Sequence, residues 1–281
     1  MIFQSTSKLR LLVASVLGSS ALWVNALEPT RIVFQNGRGV PISSVSLQGD
    51  SLVITAANEY FTEGQKLALI SADHVYGDKP PEINRGTALT LMGKSSEAIA
   101  VLEPIIAQHR ITAKIPGNFW VEAARALLVS YAQTGNVAKT DEIGKEISEA
   151  TPVQGIDPFV TLGKALLLPS STKAAELEVA FRDLTTDNLP AAVCAYASFF
   201  RGNTLKAAKR DAEALEAYLR VPCLFPSGGM ILNAAAEYHA AEYLIAIDRR
   251  EERLALLNSS ILGADNTIIA VEANKRLESS K

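Results

Sequence analysis

The spacing of hydrophobic and polar residues divides the chain into three parts. One apolar run occupies residues 11–24, short β-branched runs separated by turns follow in residues 31–77, and helical spacing begins after Pro80-Pro81. Apolar residues three and four apart indicate amphipathic helices, whereas short runs bounded by turns indicate strands. The pattern predicts a mostly α-helical protein made of a leader (1–26), a small β module (27–79) and a helical domain (80–281).

The first segment has the features of a secretory signal peptide. Lys8 and Arg10 give it a positive start, and the apolar run leads into a Val-Asn-Ala sequence that ends at Ala26. Small residues at these positions suit a signal peptidase, so we expect cleavage after Ala26 and a periplasmic or secreted protein. An uncleaved anchor is the alternative, but the run is shorter than the ~20 residues of a spanning helix. No later apolar stretch reaches that length without charges, so we expect no transmembrane segment after cleavage.

Residues 27–79 are predicted to form a small curled sheet or barrel of four or five strands. Asn36-Gly37 marks a hairpin because both residues tolerate positive φ, and Pro41 places its strand at an edge because proline lacks a backbone donor. About fifty residues are marginal for an independent core, so we expect the module to pack on the helical domain. The runs behind this prediction are Arg31–Phe34, Val40–Ile42, Val45–Leu47, Leu52–Thr55 and Leu67–Ile70, and Val75-Tyr76 closes the segment.

One pattern of offsets recurs through the helical domain. A small residue at i is followed by a bulky one at i+3, a turn residue at i+7, a small one at i+12 and an apolar one at i+16. The small residues allow two antiparallel helices to approach closely, and such pairs must stack to bury their apolar faces. The pattern predicts about five helix pairs. The copies are Gly86, Leu89, Gly93, Ala98, Leu102; a weaker Leu128, Tyr131, Gly135, Thr140, Gly144; Gly163, Leu166, Ser170, Ala175, Val179; Gly202, Leu205, Lys209, Ala214, Tyr218; and Ala241, Leu244, Asp248, Arg253, Leu257.

This pattern resembles the tetratricopeptide repeat family. The stretch from Gly93 to Ile99 is similar to the turn and second-helix start of that repeat, and residues 202–226 match except at the turn, where Lys209 replaces glycine. Successive first landmarks lie 42, 35, 39 and 39 residues apart, whereas the family period is about 34. The resemblance implies a tetratricopeptide-like α-solenoid of about five helix pairs, ended by a capping helix near residues 267–277.

The resemblance also implies where a partner would bind. In this family the first helix of each pair lines a concave surface, and aromatic residues beside polar ones suit a peptide groove. Single aromatics such as Trp120, Phe199 and Phe200 can instead be core between repeats, because aromatic residues are more often buried. The concave residues implied in this way are Arg125, Gln133, Lys164, Tyr196, Phe199, Asn203, Lys206, Tyr238 and Glu242.

The chain contains two cysteines, Cys194 and Cys223. An antiparallel fourth pair that turns near Lys209 would bring them to the same end, and an exported location permits a disulfide. A bond also requires Cα atoms within about 7 Å and converging side chains. A buried cysteine without a disulfide is the alternative.

Composition and charge restrict the function. Lys and Arg number 27 and Asp and Glu 30, a net charge of −3, which argues against a nucleic-acid binder. The three histidines lie in separate segments, and the sequence contains neither a glycine-rich phosphate loop nor a G-x-S-x-G elbow, so we predict no metal, cofactor or catalytic residue.

We therefore expect a non-enzymatic protein–protein interaction scaffold in the periplasm or cell envelope. It would bind a segment of an envelope protein in the concave face of its helical repeats. Two other classes stay open, because a fold does not fix a function. One is a cell-wall or glycan-binding accessory protein that uses the β module, and the other is an enzyme with an unrecognised site.

Overall fold

The computed structural model describes residues 28–151, 157–168, 174–186 and 188–279. The predicted leader, its cleavage site and the expected turn at Ser170 lie outside these residues. The described part is mostly helical, with two small sheets near its amino-terminal end. The strands are β1 (Arg31–Phe34), β2 (Gly39–Pro41), β3 (Val45–Gln48), β4 (Ser51–Ile54), β5 (Lys66–Ala68) and β6 (Ala72–Tyr76). The helices are α1 (Pro81–Leu91), α2 (Ser95–His109), α3 (Trp120–Gln133), α4 (Val137–Ala150), α5 (Pro158–Leu166), α6 (Ala174–Arg182), α7 (Ala191–Ala207), α8 (Asp211–Leu224), α9 (Met230–Tyr243), α10 (Arg250–Gly263) and α11 (Ile268–Glu278).

The β module consists of two three-stranded antiparallel sheets, in the orders β2-β1-β6 and β3-β4-β5. Short 3₁₀ segments at 42–44 and 69–71 carry the chain from one sheet to the other. β2 contains Pro41 and lies at an edge, as predicted. The turns at Gly37 and Gly49 have φ of +77° and +59°, values that glycine adopts without strain.

The β module and the helical domain pack on each other, as the small size of the module predicted. Ile115, in the loop between α2 and α3, is 1% exposed and packs in the strand core. The N–H of Val75 in β6 donates to the carbonyl of Pro116 at 2.9 Å, so the same loop covers that sheet edge. Phe119 contacts both the strand core and the helical core. Because Ile115 completes the strand core, the core of the β module includes a residue of the helical domain.

The turns within four helix pairs share one conformation. Gly93, Gly135, Lys209 and Asp248 have φ between +54° and +73°. In each turn the N–H of the next residue donates to the carbonyl five residues before it, at 2.8–3.0 Å. This bond is typical of a helix that ends in the left-handed conformation. The turn positions predicted at i+7 are therefore confirmed in these four pairs, two of which turn without glycine.

Small residues allow the paired helices to approach closely, as the offsets predicted. A Cβ atom on Gly86 would lie 2.5 Å from the side chain of Leu102, and one on Gly202 would lie 2.6 Å from Tyr218. Real Cβ atoms do not approach so closely, so only glycine fits at these two positions without a shift.

In the second pair the large and the small residue of this contact change places. Leu128 occupies the first small position, and a Cβ atom on Gly144 would lie 3.6 Å from it. Leu128 also fills the space at Gly163 of the next pair, where a Cβ atom would lie 2.7 Å from its side chain. This exchange explains why the second copy of the pattern is weak although its helices pack as a pair.

The five pairs do not form an open row. The first helices α1, α3, α5, α7 and α9 each contact the next, and α1 also packs against α9 and α11. The first helices therefore close into a ring, and one hydrophobic core runs through all five pairs. α7 and α9 are buried on most of their positions, as expected of helices surrounded by others. The first pair thus lies against the last pair and the capping helix, which an open row of repeats would keep apart.

Candidate functional site

The aromatic residues expected on a concave surface lie in the core. Tyr196, Phe199 and Tyr238 have exposed fractions of 7%, 0% and 5%. Their rings are buried because α7 and α9 pack against neighbouring first helices. These three predicted partner residues therefore offer little surface to a partner in this structure. Trp120 and Phe200 are buried as well, which agrees with the alternative that such aromatics are core.

Arg125 makes its contacts within the protein. Its guanidinium lies 4.3 Å from the centre of the Phe159 ring, a cation–π contact between α3 and α5. Burial lowers the pKa of Arg125, and nearby Asp157 and Tyr196 partly oppose the shift. Asp157 caps α5 by accepting from the N–H of Phe159 at 2.8 Å. Arg125 thus joins two first helices of the ring.

Three of the predicted residues meet in one charged cluster. Glu242 in α9 accepts from Lys206 in α7 at 2.5 Å and from Arg276 in α11, and His239 Nδ1 lies 3.4 Å from the same carboxylate. The guanidinium of Arg276 also lies 4.1 Å from the centre of the Tyr238 ring. We call these five residues the α9 cluster. It ties the capping helix α11 to α7 and α9.

The α9 cluster holds Glu242 ionised. Burial alone would raise the pKa of this carboxyl, but hydrogen bonds from His239, Lys206 and Arg276 outweigh it and hold the pKa far below its usual range. Burial lowers the pKa of His239, and Glu242 opposes that shift. At neutral pH the cluster is therefore a carboxylate between two cations beside a neutral imidazole.

The other predicted polar residues have separate surroundings. Gln133 accepts from the hydroxyl of Ser95 at 2.5 Å, and Asn203 accepts from the hydroxyl of Tyr218 at 2.6 Å. Lys164 is exposed on α5. The predicted partner residues thus divide among the core, the α9 cluster and local contacts outside it.

Cys194 and Cys223 are not bonded to each other in the described structure. The thiol of Cys194 is buried, 3.7 Å from the carbonyl oxygen of Thr186 and 3.8 Å from that of Leu189. Cys223 is exposed near the end of α8. This arrangement agrees with the alternative of a buried cysteine without a disulfide, because the side chain of Cys194 faces the loop before α7 and that of Cys223 faces solvent.

A groove on the outside of the second pair was missed by the sequence analysis. It runs between α2 and α4 with α3 beneath it, and it reaches the turn between β3 and β4. Two cavities of about 180 and 310 Å³ form it, and Arg110 and Glu146 line both. These two side chains form an ion pair with a nitrogen–oxygen distance of 2.9 Å. We call the two cavities together the outer groove.

Several polar groups of the outer groove pair with each other. The hydroxyl of Tyr131 donates to Glu103 at 2.5 Å, and Lys139 donates to Glu142 at 2.8 Å. Burial raises the pKa of Tyr131, and the bond to Glu103 adds to the shift. Burial also raises the pKa of Glu146, although Arg110 opposes this change. These pairs fix the side chains at the end of the groove distant from the β module.

Two buried polar atoms of the outer groove lack a partner among the described residues. They are the indole Nε1 of Trp120, a donor, and Oε2 of Glu146, an acceptor. Trp120 is 1% exposed and lines the larger cavity. Most buried donors and acceptors in proteins are hydrogen-bonded, so these two atoms are unpaired polar groups beneath the lining of the groove.

The sequence signal for the outer groove is weak. Its walls come from second helices, whereas the family resemblance points to first helices. Lys139, Glu142, Ile143 and Glu146 recur at helical spacing, but the same pattern describes any amphipathic surface helix. Only the packing of three helices shows that these residues share one groove.

Comparison with known proteins assigns no family. No protein-family model, curated protein sequence or solved structure matches the chain. Among the described side chains, no group of three or more His, Cys, Asp or Glu could hold a metal ion. None of the helices given above is both long enough and apolar enough to cross a membrane.

Proposed function

We propose that this protein is a non-enzymatic interaction scaffold of an extracytoplasmic compartment, a bacterial periplasm or cell envelope. The observation that carries the proposal is the recurrence of one turn conformation in four helix pairs. Stacked helix pairs of this kind provide a rigid body with extended surfaces, which suits the binding of other proteins. In this proposal the helical domain is a tetratricopeptide-like array that closes on itself.

The binding surface in this proposal lies on the outside of the ring. Most residues of the first helices α7 and α9 are buried, so we place the partner elsewhere. The outer groove lies where the β module meets the helical domain, and junctions between structural units are common positions for binding sites. We therefore place a segment of an envelope protein there.

Export is tested by the mass of the recovered protein. The positive start, the apolar run and the Val-Asn-Ala sequence support cleavage after Ala26. Intact-mass measurement of the protein from a periplasmic fraction should give a chain that begins at residue 27. A chain that still begins at Met1 and stays in the membrane fraction would contradict this part of the proposal.

Binding is tested by cross-linking in intact cells, followed by capture through a tag placed after Lys281. We expect one or a few proteins that mass spectrometry identifies reproducibly and that an unrelated exported protein with the same tag does not capture. Retention of polysaccharide without protein would support the glycan-binding alternative. Capture of neither would contradict the scaffold proposal.

A further inference from the structure

The outer groove has the length of a short peptide. Along α4 its wall extends from Lys139 to Ala150, which is about 16 Å at 1.5 Å per helical residue. An extended chain covers that length with about five residues at 3.3 Å each. The two cavities together span the length of a short extended segment, and the Arg110–Glu146 ion pair lies where they meet.

The groove offers both apolar and hydrogen-bonding groups to such a segment. At the end near the β module, Leu47, Leu69 and Trp120 line the larger cavity. The N–H of Trp120 and Oε2 of Glu146 lie buried beneath this lining without a hydrogen-bond partner among the described residues. Because Oε1 of Glu146 already binds Arg110, the orientation of this carboxylate is fixed before a ligand arrives.

The charge of the groove favours a basic ligand. Five carboxylates line the two cavities, against three cations. Two of those cations, Arg110 and Lys139, already pair with Glu146 and Glu142. An acidic ligand would therefore meet an excess of negative charge, whereas a lysine or arginine side chain would reduce that excess.

We propose that the outer groove binds an extended basic segment of a partner protein. A lysine or arginine of the segment pairs with Glu146, and its apolar side chains fill the cavity beside Trp120. This inference rests on the proposed scaffold function and adds the chemical class of the partner.

Intrinsic fluorescence tests the inference directly. The chain contains two tryptophans, Trp23 and Trp120, so a Trp23→Phe chain reports from the groove alone. The probes are a six-residue peptide that alternates lysine and leucine and a matched peptide with glutamate in place of lysine. We expect a saturable fluorescence change with the basic peptide and an affinity for the acidic peptide at least tenfold weaker. Equal affinities, or no saturable change with the basic peptide, would overturn the inference.

Two substitutions place the binding in the groove. Glu146→Gln should lower the affinity for the basic peptide about tenfold, which is the contribution expected of one charge-assisted hydrogen bond. Glu216→Gln on α8 removes another glutamate that pairs with an arginine and should change nothing. Ala107→Arg should block the groove, since Ala107 is an exposed helical alanine that lines it, whereas Ala255→Arg at an exposed position of α10 should not.

Circular dichroism of all four variants controls for folding. Unchanged peptide binding by folded Glu146→Gln or Ala107→Arg would overturn the inference. The two proposals can fail separately. If the protein captures partners in cells but binds the basic and acidic peptides equally well, the scaffold proposal stands and only the basic class of ligand is rejected.

Discussion

Replacement of Gly202 by alanine tests the helix-pair packing most directly. A methyl group at this position would lie 2.6 Å from Cε1 of Tyr218, 2.8 Å from Cδ1 and 2.9 Å from Cζ. Carbon atoms pack best at about 3.5–4.0 Å, so the ring or the helix must move by about 1 Å. The ring is held in place, because Tyr218 is 0% exposed, donates to Asn203 at 2.6 Å and stacks on His239 at 5.2 Å.

The magnitude follows from two opposing effects. Overpacking of a close contact costs about 1–3 kcal/mol, and a shifted Tyr218 also weakens its hydrogen bond, at about 1 kcal/mol. Alanine in a helix interior is favoured over glycine by about 1 kcal/mol. We therefore expect Gly202→Ala to lower the free energy of unfolding by about 1–3 kcal/mol, although alanine is the better helix former.

Urea unfolding followed by helical circular dichroism measures this change. Gly263→Ala in α10 is the matched control, because its added methyl would lie 3.3 Å from Cβ of Ala234, 3.7 Å from the carbonyl oxygen of Met230 and 3.8 Å from Cγ of Met230, all farther than Tyr218 is from position 202. We expect that control to change stability by less than about 0.5 kcal/mol. In a Tyr218→Leu background the cost of Gly202→Ala should largely disappear. A Gly202→Ala protein as stable as the original would refute the assignment of this contact.

Three further predictions concern the α9 cluster, the second small position and the cysteines. Glu242→Gln should destabilise by about 2 kcal/mol at pH 7, between an exposed and a buried ion pair. Folding lowers the pKa of Glu242 below its ordinary 4.5. Its contribution to the free energy of unfolding is therefore present above pH 4.5 and is lost as the pH falls below that value. The difference in unfolding free energy between the two proteins should shrink from pH 7 to pH 3. Ala214→Leu should cost about 1–3 kcal/mol in urea unfolding because Ala214 is 0% exposed, and a stability equal to that of Lys164→Ala would contradict this. Thiol labelling of the denatured, unreduced protein should modify both Cys194 and Cys223, and a mass without added label would show that they are bonded.

Local features of the fold were predictable because they depend on neighbouring residues. Asn36-Gly37 predicted a hairpin, and Pro41 predicted an edge strand. The offset from Gly202 to Tyr218 predicted a close contact between the two helices of one pair. Such signals need only the conformational preferences of glycine and proline and the period of a helix.

Features that depend on distant residues were not predictable. The contact of α1 with α9 and α11 joins elements far apart in sequence, and no local pattern marks it. For that reason Tyr196 and Tyr238 were expected at a surface that the closed ring buries. The rotation of α7 and α8 about their axes sets the directions of the two cysteine side chains in the same way. Sequence spacing can place two residues at one end of a helix pair, but it does not show whether their side chains face each other.

The closed ring connects the stability of this protein with the place where it can bind. In an open array each repeat contacts only its neighbours, and stability is nearly a sum of local contributions. Here α1 packs against α9 and α11, so the last pair and the capping helix lose contacts if the first pair unfolds. A short member of the array, such as α5 with nine residues, is stabilised in this way by the ring as a whole. The same packing buries most of α7 and α9, and the outer groove that we propose for a partner lies beside the β module.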